Sequence, residues 1–241
     1  PGITQATLTT AGIHHASAGE AQSLCGIKTP GIWIPFHDID GNPIEDGGKP
    51  YGRLRLDTPQ GDKKYHQQAG TKVHAYIPPR LKGADAGNGL VIVEGEFKAL
   101  ALIEAGQAAI GISGFYGWGA KEDDGAFSML PVIKAALERT GAPRILFLGD
   151  SDTSLNADFS HAASKLLRTS ALPVVLPRIH LDAPGKGVDD IREALGDGFS
   201  KWWTSTVEDA LGFDVKDSRG DIAVELLEVE PDNLKSGRFG G

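Results

Sequence analysis

The chain contains the sequence Leu90-Val91-Ile92-Val93-Glu94-Gly95, in which a short apolar run stops at an acidic residue and a glycine. A second apolar run, Ile145-Leu146-Phe147-Leu148, stops before Gly149-Asp150-Ser151-Asp152. Short runs of this kind are typical of strands that are buried on both faces of a parallel sheet. Ligands of open α/β sheets bind outside the carboxyl ends of such strands. We therefore expect Glu94, Asp150 and Asp152 to meet at one edge of a parallel sheet.

Three carboxylates at one edge would repel one another unless a cation or a proton lay between them. Magnesium is the hard, oxygen-seeking cation for such a cluster, and it usually keeps waters and substrate phosphates as ligands. The two strand ends therefore predict a site for Mg²⁺, with Mn²⁺ as a substitute ion, that serves phosphate chemistry.

The composition is that of an ordinary globular protein, with 241 residues, 40% hydrophobic and 23% charged. This length allows one large domain or two small ones. No apolar stretch is long enough to cross a membrane, and the first residues lack the basic region and apolar core of a signal peptide. The single Cys25 excludes an internal disulfide and a cysteine-built zinc ribbon. We expect a cytoplasmic protein without a membrane partner.

The net charge of −8 argues against a nucleic-acid-binding protein, but the charge is unevenly distributed. The segment 49–82 is locally about +6, because it has two acidic residues, Asp57 and Asp62, against eight basic ones. A basic segment beside an acidic metal cluster suits a polyanion that is held by its phosphates. The alternative is a solvated hairpin whose charged edges resist aggregation. The basic residues are Lys49, Arg53, Arg55, Lys63, Lys64, Lys72, Arg80 and Lys82.

The periodicity of apolar residues divides the chain into a β-rich part and an α/β part. Residues 1 to about 30 are predicted to be helical and polar, and strands are predicted at 32–36, 51–56 and 73–77. In the second of these strands, Arg53 and Arg55 share one face. After a boundary at 84–89, strands at 90–93, 109–112, 145–148 and 173–179 alternate with helices near 97–105, 130–139 and 157–169. This alternation predicts a parallel sheet that is flanked by helices.

Three segments are therefore predicted. Residues 1–85 would form an N-terminal helix and a small β-rich, basic subdomain, residues 86–200 the α/β domain, and residues 201–241 a C-terminal helix, tail or linker.

Two other nucleotide or phosphate enzymes are consistent with a strand that ends in Asp150. A P-loop ATPase needs G-x-x-x-x-G-K-[ST], which the sequence lacks. A haloacid-dehalogenase-like phosphatase resembles the chain in its Asp150-Ser151-Asp152 motif, with Asp189-Asp190 as the late acidic pair. That motif normally opens its domain, however, and Ser154 stands where Thr or Val is usual. This alternative also leaves Glu94 without a role.

Three segments in order are more specific than any one of them: Val93-Glu94-Gly95-Glu96-Phe97-Lys98-Ala99-Leu100, Gly149-Asp150-Ser151-Asp152 and Gly185-Lys186-Gly187-Val188-Asp189-Asp190. Their order resembles the Toprim domain, a Rossmann-like α/β fold shared by bacterial-type primases, topoisomerases and some nucleases. More narrowly, it is similar to the Toprim-like domain of primase and primase-helicase replication proteins of phages, plasmids and other mobile elements. The resemblance covers residues 31–195.

The resemblance implies roles for individual residues. Glu94 matches the Toprim glutamate, a metal ligand or general acid/base, Asp150 and Asp152 match the pair that holds magnesium, and Asp189 matches a further acidic residue. Gly95 would be structural. Candidates for binding nucleotide or nucleic acid are Arg53, Arg55, Lys63, Lys64, Lys98 and Lys186. The aromatic residues Tyr65, Phe115, Tyr116 and Trp118 would stack on a base or pack in the core.

The sequence also departs from the family. Lys98 stands where many Toprim proteins carry an acidic residue, and neither a zinc-binding module nor helicase motifs are present.

We expect magnesium-dependent nucleotidyl transfer, as in a DNA primase, on single-stranded DNA template with nucleotides and a helicase partner. The alternatives are a non-catalytic module that binds nucleic acid or recruits a helicase, and a Toprim nuclease.

Overall fold

The computed structural model describes residues 2–61, 63–153 and 156–213, and only the backbone of 211–213. The predicted tail falls largely on residues 214–241, which lie outside the described residues. No described helix is long and apolar enough to span a membrane.

The N-terminal part contains two short helices and an antiparallel sheet. Its elements are α1 (Gln5–Thr10), β1 (His14–Ala16), α2 (Ala18–Cys25), β2 (Gly31–Pro35), β3 (Glu45–Asp46), β4 (Lys49–Pro50), β5 (Gly52–Gln60) and β6 (Lys63–Gln67). The main sheet has the order β1-β2-β5-β6, and β3 pairs with β4 in a separate hairpin. Two local predictions were wrong: β1 interrupts the helical region, and the strand expected at 73–77 is reduced to a bridge between Tyr76 and Gly111.

The two faces of β5 have different partners. Leu54 and Leu56 are buried with Trp33 and with α2 in a small core. Arg53 and Arg55 lie on the opposite face, as the alternation of side chains along a strand predicts. This basic face points toward the α/β part, where Arg55 lies over the ring of Phe97.

The second part is the predicted α/β unit. It contains β7 (Leu90–Glu94), α3 (Glu96–Glu104), β8 (Ala109–Ile112), β9 (Gly119–Lys121), β10 (Phe127–Met129), α4 (Pro131–Thr140), β11 (Ile145–Leu148), α5 (Ala157–Thr169), β12 (Val174–Leu176), α6 (Val188–Leu195), α7 (Phe199–Glu208) and β13 (Leu211–Phe213). The sheet order is β13-β12-β11-β7-β8, in which only β13 is antiparallel to its neighbour. The mixed α/β fold class, with a parallel sheet between helices, is confirmed.

The parallel sheet is buried on both faces because successive side chains of its strands point to opposite sides. Leu90 and Ile92 pack in a core that includes residues of α4 and α5. Val91 and Val93 pack in the opposite core, with residues of α3, α6 and α7. The second core also contains Phe36 and Tyr76, so the α/β part shares a hydrophobic core with residues that precede it in the chain.

Candidate active site

The candidate site lies where the direction of the sheet connections changes. β7 pairs with β8 on one side and with β11 on the other. A crevice forms at such a switch point, outside the carboxyl ends of the two central strands. Glu94 is the last residue of β7, and Asp150 follows the end of β11 by two residues. The strand order therefore brings these two acidic residues to the same edge.

Gly95 forms the sharp turn between β7 and α3. Its φ of 107° lies in the region that favours glycine, and its N–H donates to the Ile112 carbonyl at 3.0 Å. The neighbouring strand approaches closely, because a Cβ on Gly111 would lie 2.9 Å from the Gly95 carbonyl oxygen. This turn separates two glutamates: Glu94 is half-buried at the sheet edge, whereas Glu96 is 1% exposed.

Lys98, in the first turns of α3, pairs with Asp150. Its Nζ lies 2.5 Å from Asp150 Oδ1, and the two side chains are 18% and 21% exposed. A charge-assisted hydrogen bond of this kind, largely shielded from water, is stronger than a surface pair. Lys98 therefore supplies a cation to the acidic edge.

Asp152 pairs with a different lysine, on the loop before α6. Lys186 Nζ lies 2.8 Å from Asp152 Oδ2, and the Lys186 carbonyl accepts the Ser151 N–H at 2.9 Å. The hydrogen bond from Lys186 holds the pKa of Asp152 below its usual range, and the same bond raises the pKa of Lys186. Both side chains are more than half exposed, so this pair is open to solvent.

Gly187 is the point at which the acidic side chains converge. A Cβ placed on it would lie 2.6 Å from Asp189 Oδ1, 2.7 Å from Lys98 Cε and 3.3 Å from Asp150 Oδ1. Asp189 Oδ1 is buried and has no hydrogen-bond partner within the described ranges. The absence of a side chain at Gly187 therefore leaves room for the Lys98–Asp150 pair and for Asp189 beside it.

The electrostatics distinguish Glu94 and Asp189 from Asp152. Burial raises the pKa of Glu94, the Lys98 ammonium opposes this, and the Asp150 charge adds to it. Burial likewise raises the pKa of Asp189, again against Lys98. A carboxylate whose pKa is raised by burial is a better proton acceptor than an exposed one. Glu94 and Asp189 therefore bind a proton more readily than Asp152 does.

Arg53 connects the antiparallel sheet to this edge. Its guanidinium donates to Glu96 Oε1 at 2.7 Å and lies over the Tyr65 ring, 4.4 Å from the centroid. Burial raises the pKa of the Tyr65 phenol, and the Glu96 charge adds to this. Arg53 is 17% exposed, so it remains accessible from the cleft while Glu96 fixes its position.

The predicted binding residues are not all in one place. Arg53, Lys98 and Lys186 make ion pairs at or beside the acidic edge, and Arg55 lies over Phe97 in α3. Lys63 and Lys64 are exposed at the hairpin end of β6. Among the described residues, no hydrogen bond or ion pair joins either lysine to the acidic cluster.

One aromatic residue proposed for base stacking, Trp118, is in the core instead, and Phe115 is half-buried. Trp118 is fully buried against Phe127, and Phe115 packs on Phe159. Tyr116 is 41% exposed, and Tyr65 is half-buried under Arg53. The base-stacking hypothesis is wrong for Trp118, because a fully buried ring has no free face.

Two residues that shape the site carry no specific signal in the sequence. The burial of Glu96 depends on Arg53, 43 positions away, so no local pattern predicts it. Gly187 belongs to the third motif, but only the surrounding contacts show why a side chain would not fit there.

The donor chemistry at this edge fits magnesium, because the carboxylates offer hard oxygen ligands and Asp189 Oδ1 is buried with no hydrogen-bond partner in the described part of the chain. The side-chain positions do not form a coordination shell, since no group of three or more described His, Cys, Asp or Glu side chains is arranged to hold a metal. Lysine ammoniums instead pair with Asp150 and Asp152.

The α/β part of the chain matches a family model. Residues 84–197 match the family model described as "Domain of unknown function (DUF3854)". No curated protein matches the chain.

Solved structures with a similar fold are primase catalytic cores. A structure of the DnaG primase catalytic domain bound to ssDNA is 15% identical with a TM-score of 0.60, covering 96% of this chain and 73% of that one. The E. coli primase catalytic core is 14% identical with a TM-score of 0.57, covering 97% and 74%. The zinc-binding and RNA polymerase domains of the Aquifex aeolicus primase are 13% identical with a TM-score of 0.59, covering 97% of this chain. The chain spans only 57% of that structure. At these identities, the similarity establishes a primase-like fold.

Proposed function

We propose that this chain is the catalytic part of a magnesium-dependent DNA primase, which joins nucleotides on a single-stranded DNA template. One observation carries the proposal: within a primase-like fold, the acidic edge of Glu94, Asp150 and Asp189 lies beside the basic face of β5. Acidic residues suit a metal and basic residues suit phosphates, and nucleotidyl transfer needs both. Following the family resemblance, we propose a role in replication of a mobile element, with a helicase as partner.

The basic residues would bind the phosphates. A guanidinium has five N–H donors, and Arg53 uses one of them on Glu96 in the observed pair. The remaining donors match the geometry of phosphate oxygens. Arg55 is on the same face of β5, and Lys186 pairs with Asp152. These side chains would orient the triphosphate or the template backbone.

Glu94 would accept the proton that the reaction releases. In nucleotidyl transfer, a 3′-hydroxyl oxygen bonds to the α-phosphorus of the next nucleotide, and pyrophosphate leaves with the electron pair of the broken P–O bond. The proton of that hydroxyl would pass to the Glu94 carboxylate, whose pKa is raised by burial. A magnesium ion held by Asp150, Asp152 and Asp189 would neutralise phosphate charge when it is bound.

A second function is favoured by a specific observation. Asp150 and Asp152 both pair with lysines rather than standing free for a metal. This arrangement suits a module that retains the fold, binds nucleic acid or recruits a helicase, and does not catalyse nucleotidyl transfer.

Primer synthesis separates the two functions. The full chain is incubated with labelled nucleotides, Mg²⁺ and single-stranded template, as wild type, Asp150→Ala and Asp40→Ala. Asp40 is a matched control because it too pairs with a basic residue, Arg139, but on an exposed surface. We expect product from wild type and Asp40→Ala, and a loss of about a hundredfold or more in Asp150→Ala.

The other outcomes contradict either the role of Asp150 or the primase activity itself. Product that survives Asp150→Ala would remove Asp150 from catalysis. Template binding without product would favour the non-catalytic module, and cleavage without synthesis would favour a nuclease.

A further inference from the structure

Lys98 is surrounded by acidic groups from three elements. Its Nζ pairs with Asp150, which follows β11. Lys98 Cε and Asp189 Oδ1 both lie beside Gly187, because a Cβ on that glycine would be 2.7 Å from the first atom and 2.6 Å from the second. Glu94, at the end of β7, is close enough for the Lys98 charge to oppose the effect of burial on its pKa. The ammonium is paired with Asp150, and its charge also acts on Glu94 and Asp189.

We infer that Lys98 is a resident cation, which occupies the place of a divalent ion beside Asp150 and keeps the metal affinity of the nucleotide-free site low. This inference rests on the proposed function for the identity of the metal. An ammonium with donors 2.5 Å from Asp150 Oδ1 uses the oxygen that a metal would need. It also repels any divalent ion that binds to the neighbouring carboxylates.

The position of Lys98 is held by packing. Lys98 extends from α3, whose Phe97, Ala99 and Leu100 are buried in the core. The Lys98 side chain is 18% exposed, so water screens its charge far less than that of a surface lysine. A divalent ion at Asp150 Oδ1 would have to displace the Lys98 ammonium, and the phosphates of a bound nucleotide would give that ammonium an alternative partner.

Lys186 provides a matched control. It also pairs with an acid of the D-x-D motif, and its removal takes the same unit of positive charge from the site. The Lys186–Asp152 pair is 61% and 56% exposed, so it is open to solvent and salt. Its influence on metal affinity should therefore be much weaker.

The test is a titration of the full chain with Mn²⁺ alone, in the absence of nucleotide, following free Mn²⁺ by electron paramagnetic resonance. We expect the Kd of Lys98→Met to be lower than that of wild type by about tenfold to a hundredfold, because a like charge beside the ion is removed. Lys186→Met should change the Kd by about threefold or less. Lys98→Gln should follow Lys98→Met, and it remains a usable variant if the methionine prevents folding.

An unchanged Kd in both Lys98 variants would overturn the inference, as would an equal effect of Lys186→Met. The failure of this inference can be distinguished from failure of the proposed function. Primer synthesis by wild type without tighter Mn²⁺ binding in the Lys98 variants contradicts only the resident cation. Tighter binding without primer synthesis by wild type contradicts only the primase activity.

Discussion

The ion pair between Arg53 and Glu96 should be the strongest single polar link between the antiparallel sheet and the α/β part. Glu96 is 1% exposed, Arg53 is 17% exposed, and the two are joined at 2.7 Å. Removing one partner of a buried pair costs about 3–5 kcal/mol, because the other charge stays buried without compensation. Arg53 keeps some contact with water and with the Tyr65 ring, and Glu96 Oε2 has no hydrogen-bond partner among the described residues, so we expect the lower end of this range.

The perturbation is Glu96→Leu, measured by urea unfolding with circular dichroism and tryptophan fluorescence. We expect a loss of about 3 kcal/mol in the free energy of unfolding, from the buried-pair estimate. For a domain of 150–250 residues, this corresponds to a decrease in Tm of about 6–12 °C. The matched control is Asp40→Ala, which breaks an exposed pair with Arg139 and should cost less than about 1 kcal/mol.

The double variant Arg53→Met/Glu96→Leu isolates the charge from the packing. When both charges are replaced by apolar groups, the stability should return to within about 1 kcal/mol of wild type. A double variant whose loss equals the sum of the two single losses would show that the side chains are not coupled. A Glu96→Leu loss no greater than that of Asp40→Ala would refute the reasoning from burial.

Two further predictions concern a histidine and a glycine. Burial lowers the pKa of His37, against the opposing Asp38 charge, so the unfolded chain takes up the proton at a higher pH than the folded one. Stability from neutral His37 is therefore present above about pH 6.5 and is lost as the pH falls through the lower folded pKa. Urea unfolding at pH 5 to 8 measures the stability difference between wild type and His37→Gln. This difference should change with pH by no more than about 1.4 kcal/mol per pH unit, and a constant difference would contradict this assignment. Gly187→Ala should cost about 1 kcal/mol of stability, because Lys98 and Asp189 must move away from the added Cβ. The same variant should abolish primer synthesis, and full activity would show that the close packing at Gly187 is not needed for catalysis.

The α/β part could be predicted closely because its signals are local. The strand at 145–148 and the helix at 157–169 were predicted with the bounds that β11 and α5 have in the structure. Apolar runs that end in glycine or acidic residues depend only on neighbouring positions, so the sequence alone identifies them.

The N-terminal part was harder to predict because its strands depend on distant partners. β1 is three residues long, and its pairing with Gly31, Ile32 and Trp33 is what makes it a strand. The segment 73–77 has an apolar pattern, yet only Tyr76 finds a partner, and Pro78 and Pro79 follow directly.

The site shows the same division between what is local and what is not. The acidic residues at the strand ends could be identified from the sequence, but their partners depend on how Lys98 and Lys186 extend from separate elements.

The departure at position 98 was visible in the sequence, and its consequence follows from charge. An acidic residue there would add a negative charge beside Asp150, whereas Lys98 supplies a positive one, a difference of two charges in a partly buried site. A difference of this size alters both the affinity for a divalent ion and the repulsion felt by incoming phosphate. Lys98 is therefore the residue through which this site differs most from the pattern that it otherwise resembles.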